Sequence, residues 1–291
     1  MLEAPWERQF GRLATDRDGR PQLACFLLAL ALGLIGLAPA GHAKPRAGAP
    51  QVSRFDLADP RVVVQLAFAG GIERPNGPEA FSRMVTRTPG AVVVNGTFFN
   101  VRTYETFGNL VTGGRLVQHR DWDDRGTALV IGRDRRGRLQ GLRGAAWPDY
   151  QDSWLVLPAG PQLMRDGRIA LDPRKEGFQD PLLFRRKART ALGLSDGGRT
   201  LWVVTIRQEV SLEEEARIMQ RLGVSDALNL DGGTSVGLAT SGRVHVHPRT
   251  PLTQALVVYD GRHPAPQALK ARYAEWLRTP ATGSPRARSP R

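Results

Sequence analysis

The segment Ala227-Leu228-Asn229-Leu230-Asp231-Gly232-Gly233-Thr234-Ser235-Val236-Gly237-Leu238 is an apolar run that stops at an acid, turns on two glycines and becomes apolar again. It predicts a strand, a tight polar loop and a second strand. The apolar flanks belong inside a sheet. Glycine lets the backbone take positive φ or approach a ligand closely, so Asp231 is expected to be fixed at a rim. Two readings of these residues stay open. One is a hairpin corner whose acid accepts a turn hydrogen bond, and the other is the wall of an active site.

The same grammar occurs at Val94-Asn95-Gly96-Thr97-Phe98-Phe99-Asn100, where an apolar run ends in an amide, a glycine and a hydroxyl. Two strands ending in such loops can converge on one cleft. The alternative is an asparagine that caps a turn while Phe98 and Phe99 enter the core. Ala159-Gly160-Pro161-Gln162-Leu163 is a third loop of this kind, and Arg189-Thr190 puts a guanidinium at the start of a predicted strand. Arginine's planar fork suits phosphate oxygens, although Arg189 by itself reads equally as one surface cation among many.

Working outward, 61–68 predicts a strand, 78–88 a short helix and 91–95 a buried strand. Short strands follow at 110–111, at 115–118 after the Gly113-Gly114 turn, at 127–131 and at 153–157. Turn signals at Arg136-Gly137 and Asp166-Gly167 separate several of these segments at hairpin-like intervals, which argues for antiparallel pairing. Segments 190–195 and 200–206 form a hairpin across Asp196-Gly197-Gly198. Ser211 with Glu214 three positions on is a capping box, and Leu212, Ala216, Met219 and Leu222 give the helix one apolar face that closes at Gly223. Strands at 243–247 and 254–259 and an amphipathic helix at 267–277 complete the chain. The fold class is α+β: a mixed, largely antiparallel twisted sheet core with a few flanking helices, in a single domain over 52–278.

Both ends differ from this body. Residues 1–22 are polar, with Arg8, Arg12, Arg17 and Arg20, and precede an apolar run at 23–38 that ends in small residues. At about 1.5 Å per residue that run spans roughly 24 Å, short of a bilayer's hydrocarbon core, so an export signal cleaved near Ala40 or Ala43 is expected, with an uncleaved anchor as the alternative. A Pro/Ala/Gly linker at 44–51 follows, and 279–291 is a Pro/Ser/Arg-rich tail expected to be disordered. The net charge is +13. The first 43 residues hold four arginines and four acids, so the surplus belongs to the remainder. Its arginines are scattered, apart from Arg185-Arg186-Lys187 with Arg189 and the tail arginines, so no long stripe marks a nucleic-acid track, and an anionic substrate or envelope polymer fits the charge as well as nucleic acid does. The one cysteine, Cys25, lies in the leader.

Several motifs compete for attention. Gly233-Thr234-Ser235-Val236-Gly237 matches the nucleophile elbow of serine hydrolases, but that elbow leads into a helix, whereas a strand is predicted here. Asp260 and His263 are too close in sequence for the usual triad. His245 and His247 share one face of a strand and lack a third metal ligand by spacing. Asp121, Asp123 and Asp124 lack an EF-hand pattern and read as a solvated turn. No cofactor motif is present, and a divalent cation such as calcium stays an open alternative.

Taken together, six pieces in order resemble the phosphodiester glycosidase family. They are Asn95-Gly96-Thr97-Phe98-Phe99, Gly108-Asn109-Leu110-Val111 with Gly113-Gly114, Ala159-Gly160-Pro161-Gln162-Leu163 with Asp166-Gly167, Arg189-Thr190-Ala191-Leu192-Gly193, Ser211-Leu212-Glu213-Glu214 with Ala216, and Asp226-Ala227-Leu228-Asn229-Leu230-Asp231-Gly232-Gly233-Thr234-Ser235. The family often carries further glycines where Thr97 and Thr234 stand. The resemblance implies hydrolysis of a glycosyl-1-phosphodiester, with a phosphate-containing glycan or sugar phosphate as substrate. It implies Asp231 as nucleophile, base or electrostatic stabiliser, and Arg189 on the departing phosphate. Asn95 and Asn229 would orient sugar hydroxyls or Asp231. Gly96, Thr97, Gly160 and Asn229 would bind substrate, and the amides of Gly232, Gly233, Thr234 and Ser235 would complete an anion site. Export to the periplasm, envelope or exterior is expected, with membrane contact only through an uncleaved leader and no nucleic-acid partner. The rival expectation is a non-catalytic envelope protein that binds anionic polysaccharide.

Overall fold

The first strand begins at Gln51, inside the stretch whose composition reads as linker: β1 (Gln51–Asp56) lies along the edge of a six-stranded sheet. The structure is a computed structural model that describes residues 48–71, 77–118, 125–143 and 152–279. The expected leader, the first half of the linker (44–47), the acids at 121–124 and the tail from 280 lie outside the described residues. Among the described residues, no helix is long and apolar enough to cross a membrane.

Three antiparallel sheets and four helices make up the body, so the expected α+β architecture is present and its core is divided among sheets. The first sheet runs in the order β1, β12 (Thr200–Val210), β11 (Lys187–Ser195), β13 (Asp226–Asn229), β9 (Gln162–Arg165) and β10 (Arg168–Ile169). The second runs β15 (Arg243–Val246), β14 (Leu238–Thr240), β3 (Val92–Asn95), β16 (Gln254–Tyr259) and β2 (Val63–Phe68). The third runs β5 (Arg115–Gln118), β4 (Leu110–Thr112), β8 (Ser153–Ala159), β6 (Thr127–Gly132) and β7 (Gly137–Gly141).

Side-chain alternation sorts the layers. On β11 and β12, Leu192, Leu194, Leu201 and Val203 point into the main core, shared with Val93 and Val94 of the second sheet and Leu129 and Leu155 of the third. Ala191, Trp202, Val204 and Ile206 point to the opposite face, where they meet Leu212, Ala216 and Met219 of α3 (Leu212–Arg221). This period of two buries both faces of the central hairpin. The capping box holds as read: the Ser211 hydroxyl accepts from Glu214 N at 3.2 Å, and Ser211 N donates to the Glu214 carboxylate at 2.8 Å. The other helices are α1 (Phe81–Arg87), α2 (Pro181–Phe184) and α4 (Gln267–Arg278). The last places Tyr273 and Trp276 against Trp154 of β8, with ring centroids 4.5 and 5.5 Å away.

The opening segment is not a hairpin corner. Its first strand, β13, pairs with β11 and β9 in the first sheet, while β14 pairs with β3 and β15 in the second. Residues 230–237 carry the chain from one sheet to another. A 3-10 turn at Gly233–Ser235 makes the corner, with Gly233 at φ +66°, a conformation that disfavours a side chain.

Candidate active site

Backbone hydrogen bonds fix the crossing loop from both sides. Leu230 N donates to Thr190 O of β11 at 2.8 Å, and Asp231 N donates to Gly96 O, just beyond β3, at 3.3 Å. Asn95 joins the two anchors. Its Nδ2 donates to Asp231 O at 2.7 Å, while its Oδ1 accepts from the Thr190 hydroxyl at 2.8 Å and from Gly237 N at 3.2 Å. Asn229 does the same for the third predicted loop, donating from Nδ2 to Gly160 O at 2.8 Å. Gly160 N donates back to Asn229 O at 2.8 Å. Both asparagines are buried and act on the chain itself, while Oδ1 of Asn229 and Oγ1 of Thr97 are buried with no hydrogen-bond partner. Gly96 is required by packing, because a Cβ there would overlap the Gln254 side-chain amide, whose Nε2 donates to Thr97 O at 3.0 Å.

In front of this scaffold lies a cleft of about 460 Å³. Asp231, Gly232, Gly233, Thr234 and Ser235 line it together with Lys187, Arg125 and an aromatic group of Phe98, Phe99, Phe107 and Phe178. Of the residues singled out from sequence, the 231–235 run therefore reaches the cleft, whereas Asn95, Gly96, Thr97, Gly160, Asn229 and Arg189 are not part of its lining.

Asp231 is half-buried. Its Oδ1 accepts from Gly232 N at 2.7 Å, and the Ser235 side chain bonds the same carboxyl group. Burial pushes its pKa above the usual aspartate value, against the pull of those two hydrogen bonds and of the Lys187 and Arg189 charges. Lys187 lies over the glycine turn: a Cβ on Gly232 or Gly233 would come within 3.4 or 3.3 Å of its side-chain carbons. Burial, then repulsion from Arg189, lowers the Lys187 pKa, and the Asp231 charge opposes the shift. Carboxylate and ammonium thus share a wall of the cleft and each other's field. Thr234, at the exposed tip, accepts at its carbonyl from Arg249 N at 2.7 Å and from Thr250 N at 3.2 Å, so the turn is braced from outside as well.

Arg189 has a different setting from the one its position in the sequence implied. It is 0% exposed. Its guanidinium donates to the carbonyls of Leu183 at 3.0 Å and Arg185 at 2.8 Å, and lies 3.9 Å from the equally buried Glu215 of α3. Leu183 and Arg185 both line the cleft, so Arg189 holds that wall from behind. Simple alternation would put Lys187 and Arg189 on one face. Opposite them, however, β12 runs from Val210 to Ile206, four positions against two, and this bulge re-aims one of the pair. Lys187 was legible only as part of the Arg185-Arg186-Lys187 cluster, and Arg125 carried no local signal.

The competing motifs separate in space. Ser235 enters a strand after its turn, its hydroxyl is used on Asp231, and His263 bonds Asp260 at 3.1 Å. His245 bonds the Thr240 hydroxyl. Among the described residues, no group of three or more His, Cys, Asp or Glu side chains is placed to hold a metal ion.

A phosphodiester glycosidase family model matches residues 89–264, a span that includes both anchored loops, the Lys187–Arg189 strand and the crossing turn. The chain belongs to the phosphodiester glycosidase family. A curated relative, N-acetylglucosamine-1-phosphodiester alpha-N-acetylglucosaminidase of Bos taurus, is 29% identical over 171 residues, covering 54% of this chain and 32% of that protein. The chain thus spans about a third of the relative's length. Among solved structures, the catalytic domain of the zebrafish enzyme of the same name, auto-inhibited by its pro-peptide, superposes with a TM-score of 0.59 at 17% identity, covering 75% of this chain and 85% of that one. A hypothetical protein from Synechocystis gives 0.53 at 17% identity, covering 75% and 60%. At such identities the superpositions establish the phosphodiester glycosidase fold.

Proposed function

We propose that the chain is a hydrolase that cleaves a glycosyl-1-phosphodiester between the anomeric carbon and the phosphate oxygen, in an exported glycan or glycoconjugate. The observation that carries this reading is the half-buried Asp231 carboxylate on one cleft wall with the Lys187 side chain packed over the adjoining glycine turn. Family membership supports the reaction class, and the charged front and apolar run of residues 1–38 support export.

In this reaction a water oxygen bonds to the anomeric carbon, the bond from that carbon to the phosphate oxygen breaks, and its electron pair leaves with the phosphomonoester. The phosphate is a good leaving group, so the need for a strong general acid is relaxed and the main demand is to stabilise positive charge on the sugar. Asp231 meets that demand as a carboxylate facing the anomeric carbon, and it takes the proton that water gives up. Lys187 holds the departing phosphate dianion, and Arg125 adds a second cation to the cleft lining. Arg189, Asn95 and Asn229 are positioning residues that fix the walls on which these groups stand.

The test uses the purified chain and N-acetylglucosamine-1-phosphomethyl diester, with release of reducing sugar as the readout. Asp231→Asn is expected to lose about 10²–10⁴-fold in kcat while keeping its circular dichroism spectrum. Near-native turnover by that variant would remove Asp231 from the chemistry. Absence of wild-type cleavage across a panel of glycosyl-1-phosphodiesters would favour the non-catalytic polysaccharide binder.

A further inference from the structure

The cleft has two chemically distinct sides. The 231–235 turn and Lys187 are polar, whereas segments 98–107 and 178–183 bring Phe98, Phe107 and Phe178 into mutual contact, with ring centroids 6.1, 5.9 and 6.5 Å apart. Beyond these rings the apolar side reaches solvent. Val101 is 63% exposed and Leu182 56%; these are the two most exposed large apolar side chains among the described residues, and both line this cleft. A further cavity of about 280 Å³ shares Phe98, Phe99, Phe107 and Arg125 with the cleft, so the aromatic surface continues past it.

A sugar ring on that side would find few hydrogen-bond partners, since its hydroxyls would replace water over phenyl and aliphatic groups. The charged groups that border it are predominantly cationic: Arg125, Arg185 and Arg186, the last held by Glu214 at 2.6 Å, stand against the one carboxylate of Asp180, which accepts from Leu182 N at 2.9 Å as the cap of α2. An apolar channel bordered by arginines and leading to an ammonium matches an amphiphile with an anionic head. We infer that the alcohol on the far side of the phosphate is a long-chain one, so that the substrate is a glycosyl-1-phosphodiester of a lipid alcohol. The phosphate sits at Lys187 and Arg125, and the chain runs over Phe98, Phe107 and Phe178 to leave between Val101 and Leu182. This inference rests on the proposed hydrolase reading.

Two esters of N-acetylglucosamine-1-phosphate, methyl and octyl, test it below the octyl ester's micelle concentration. Each buried methylene strengthens binding about threefold to fourfold. The octyl ester is therefore expected to exceed the methyl ester in kcat/KM by at least about tenfold, and Leu182→Ser with Val101→Ser to cut that ratio severalfold, the three phenyl rings remaining in place. Because each ratio compares two substrates in one protein preparation, partial misfolding cannot produce the change. Equal rates for the two esters, or a ratio the variants leave intact, would overturn the inference. If neither ester is cleaved, calorimetry with octyl phosphate and methyl phosphate decides the apolar site independently of the hydrolase reading, which the wider panel of sugars tests. Tighter binding of octyl phosphate that Leu182→Ser weakens would sustain it, and equal binding would end it.

Discussion

The side-chain amide of Asn95 donates to the backbone carbonyl of Asp231 across 2.7 Å, joining residues 136 positions apart. The acid at the cleft is therefore positioned through its main chain, which leaves its carboxylate to face the cavity. Because the same asparagine also receives the Thr190 hydroxyl and the Gly237 amide, one side chain ties together the ends of two sheets and the turn between them.

Replacing it should be costly. In Asn95→Leu, three polar partners lose their bonds, two of them fully buried, and each buried group left unsatisfied costs about 1–3 kcal/mol. A total loss of at least about 3 kcal/mol is expected in urea unfolding, and a loss under about 1 kcal/mol would mean that the clamp is dispensable.

In the proposed reaction, the pH dependence of turnover follows from two opposed shifts. Asp231 acts when ionised, and burial raises its pKa above the ordinary 3.8. Lys187 acts when protonated, and burial lowers its pKa below the ordinary 10.5. The profile of kcat/KM should be a bell narrower than those two values, with activity lost as pH falls through the Asp231 pKa and as it rises through that of Lys187. Lys187→Met should remove the alkaline limb and reduce kcat/KM by about a hundredfold. An alkaline limb that persists in this variant would assign it to another group.

Glu215 predicts a stability slope. Burial pushes its pKa from 4.5 up to about 8, even with Arg189 close by. The folded protein therefore holds this proton more tightly than the unfolded chain does. The resulting stability is fully present below about pH 4.5 and is lost as pH rises through about 8. Thermal unfolding at pH 5 and pH 8 should differ less in Glu215→Gln than in the native chain. An unchanged difference would show that Glu215 stays ionised beside Arg189.

Gly96 and Gln254 should prove energetically coupled. Gly96→Ala drives a methyl group into the Gln254 amide, and an overpacked core typically loses about 1–3 kcal/mol. Gln254→Ala makes room, so the double variant should be more stable than the sum of the single losses requires, and strict additivity in the four-protein cycle would contradict the packing argument.

Local chemistry was the legible part of this chain. Ser211 and Glu214 announced the start of α3, and Asp196-Gly197-Gly198 announced the central hairpin, because both depend on neighbours in sequence. The crossing at 230–237 was not legible as such, since two strands joined by a short glycine turn look the same whether they pair with each other or enter different sheets. Gly160 and Pro161 read as the middle of a loop, although β9 resumes immediately at Gln162. The short helix α2 carries a local signal of its own, Asp180-Pro181, a cap followed by proline at the first turn, but at four residues it has no apolar periodicity to mark it. The exchange of settings between Lys187 and Arg189 depends on a bulge against β12, which no pattern within 187–189 records.

The passage of the chain from the first sheet to the second at Asp231 divides the molecule's scope for change. A turn whose two ends belong to different sheets, and whose corner tolerates little beyond glycine, cannot be lengthened or re-angled without moving both sheets. Segments 98–107 and 178–186 connect elements without that burden. Divergence toward new sugars or new alcohols, in nature or in the laboratory, is therefore open to the two walls and closed to the turn.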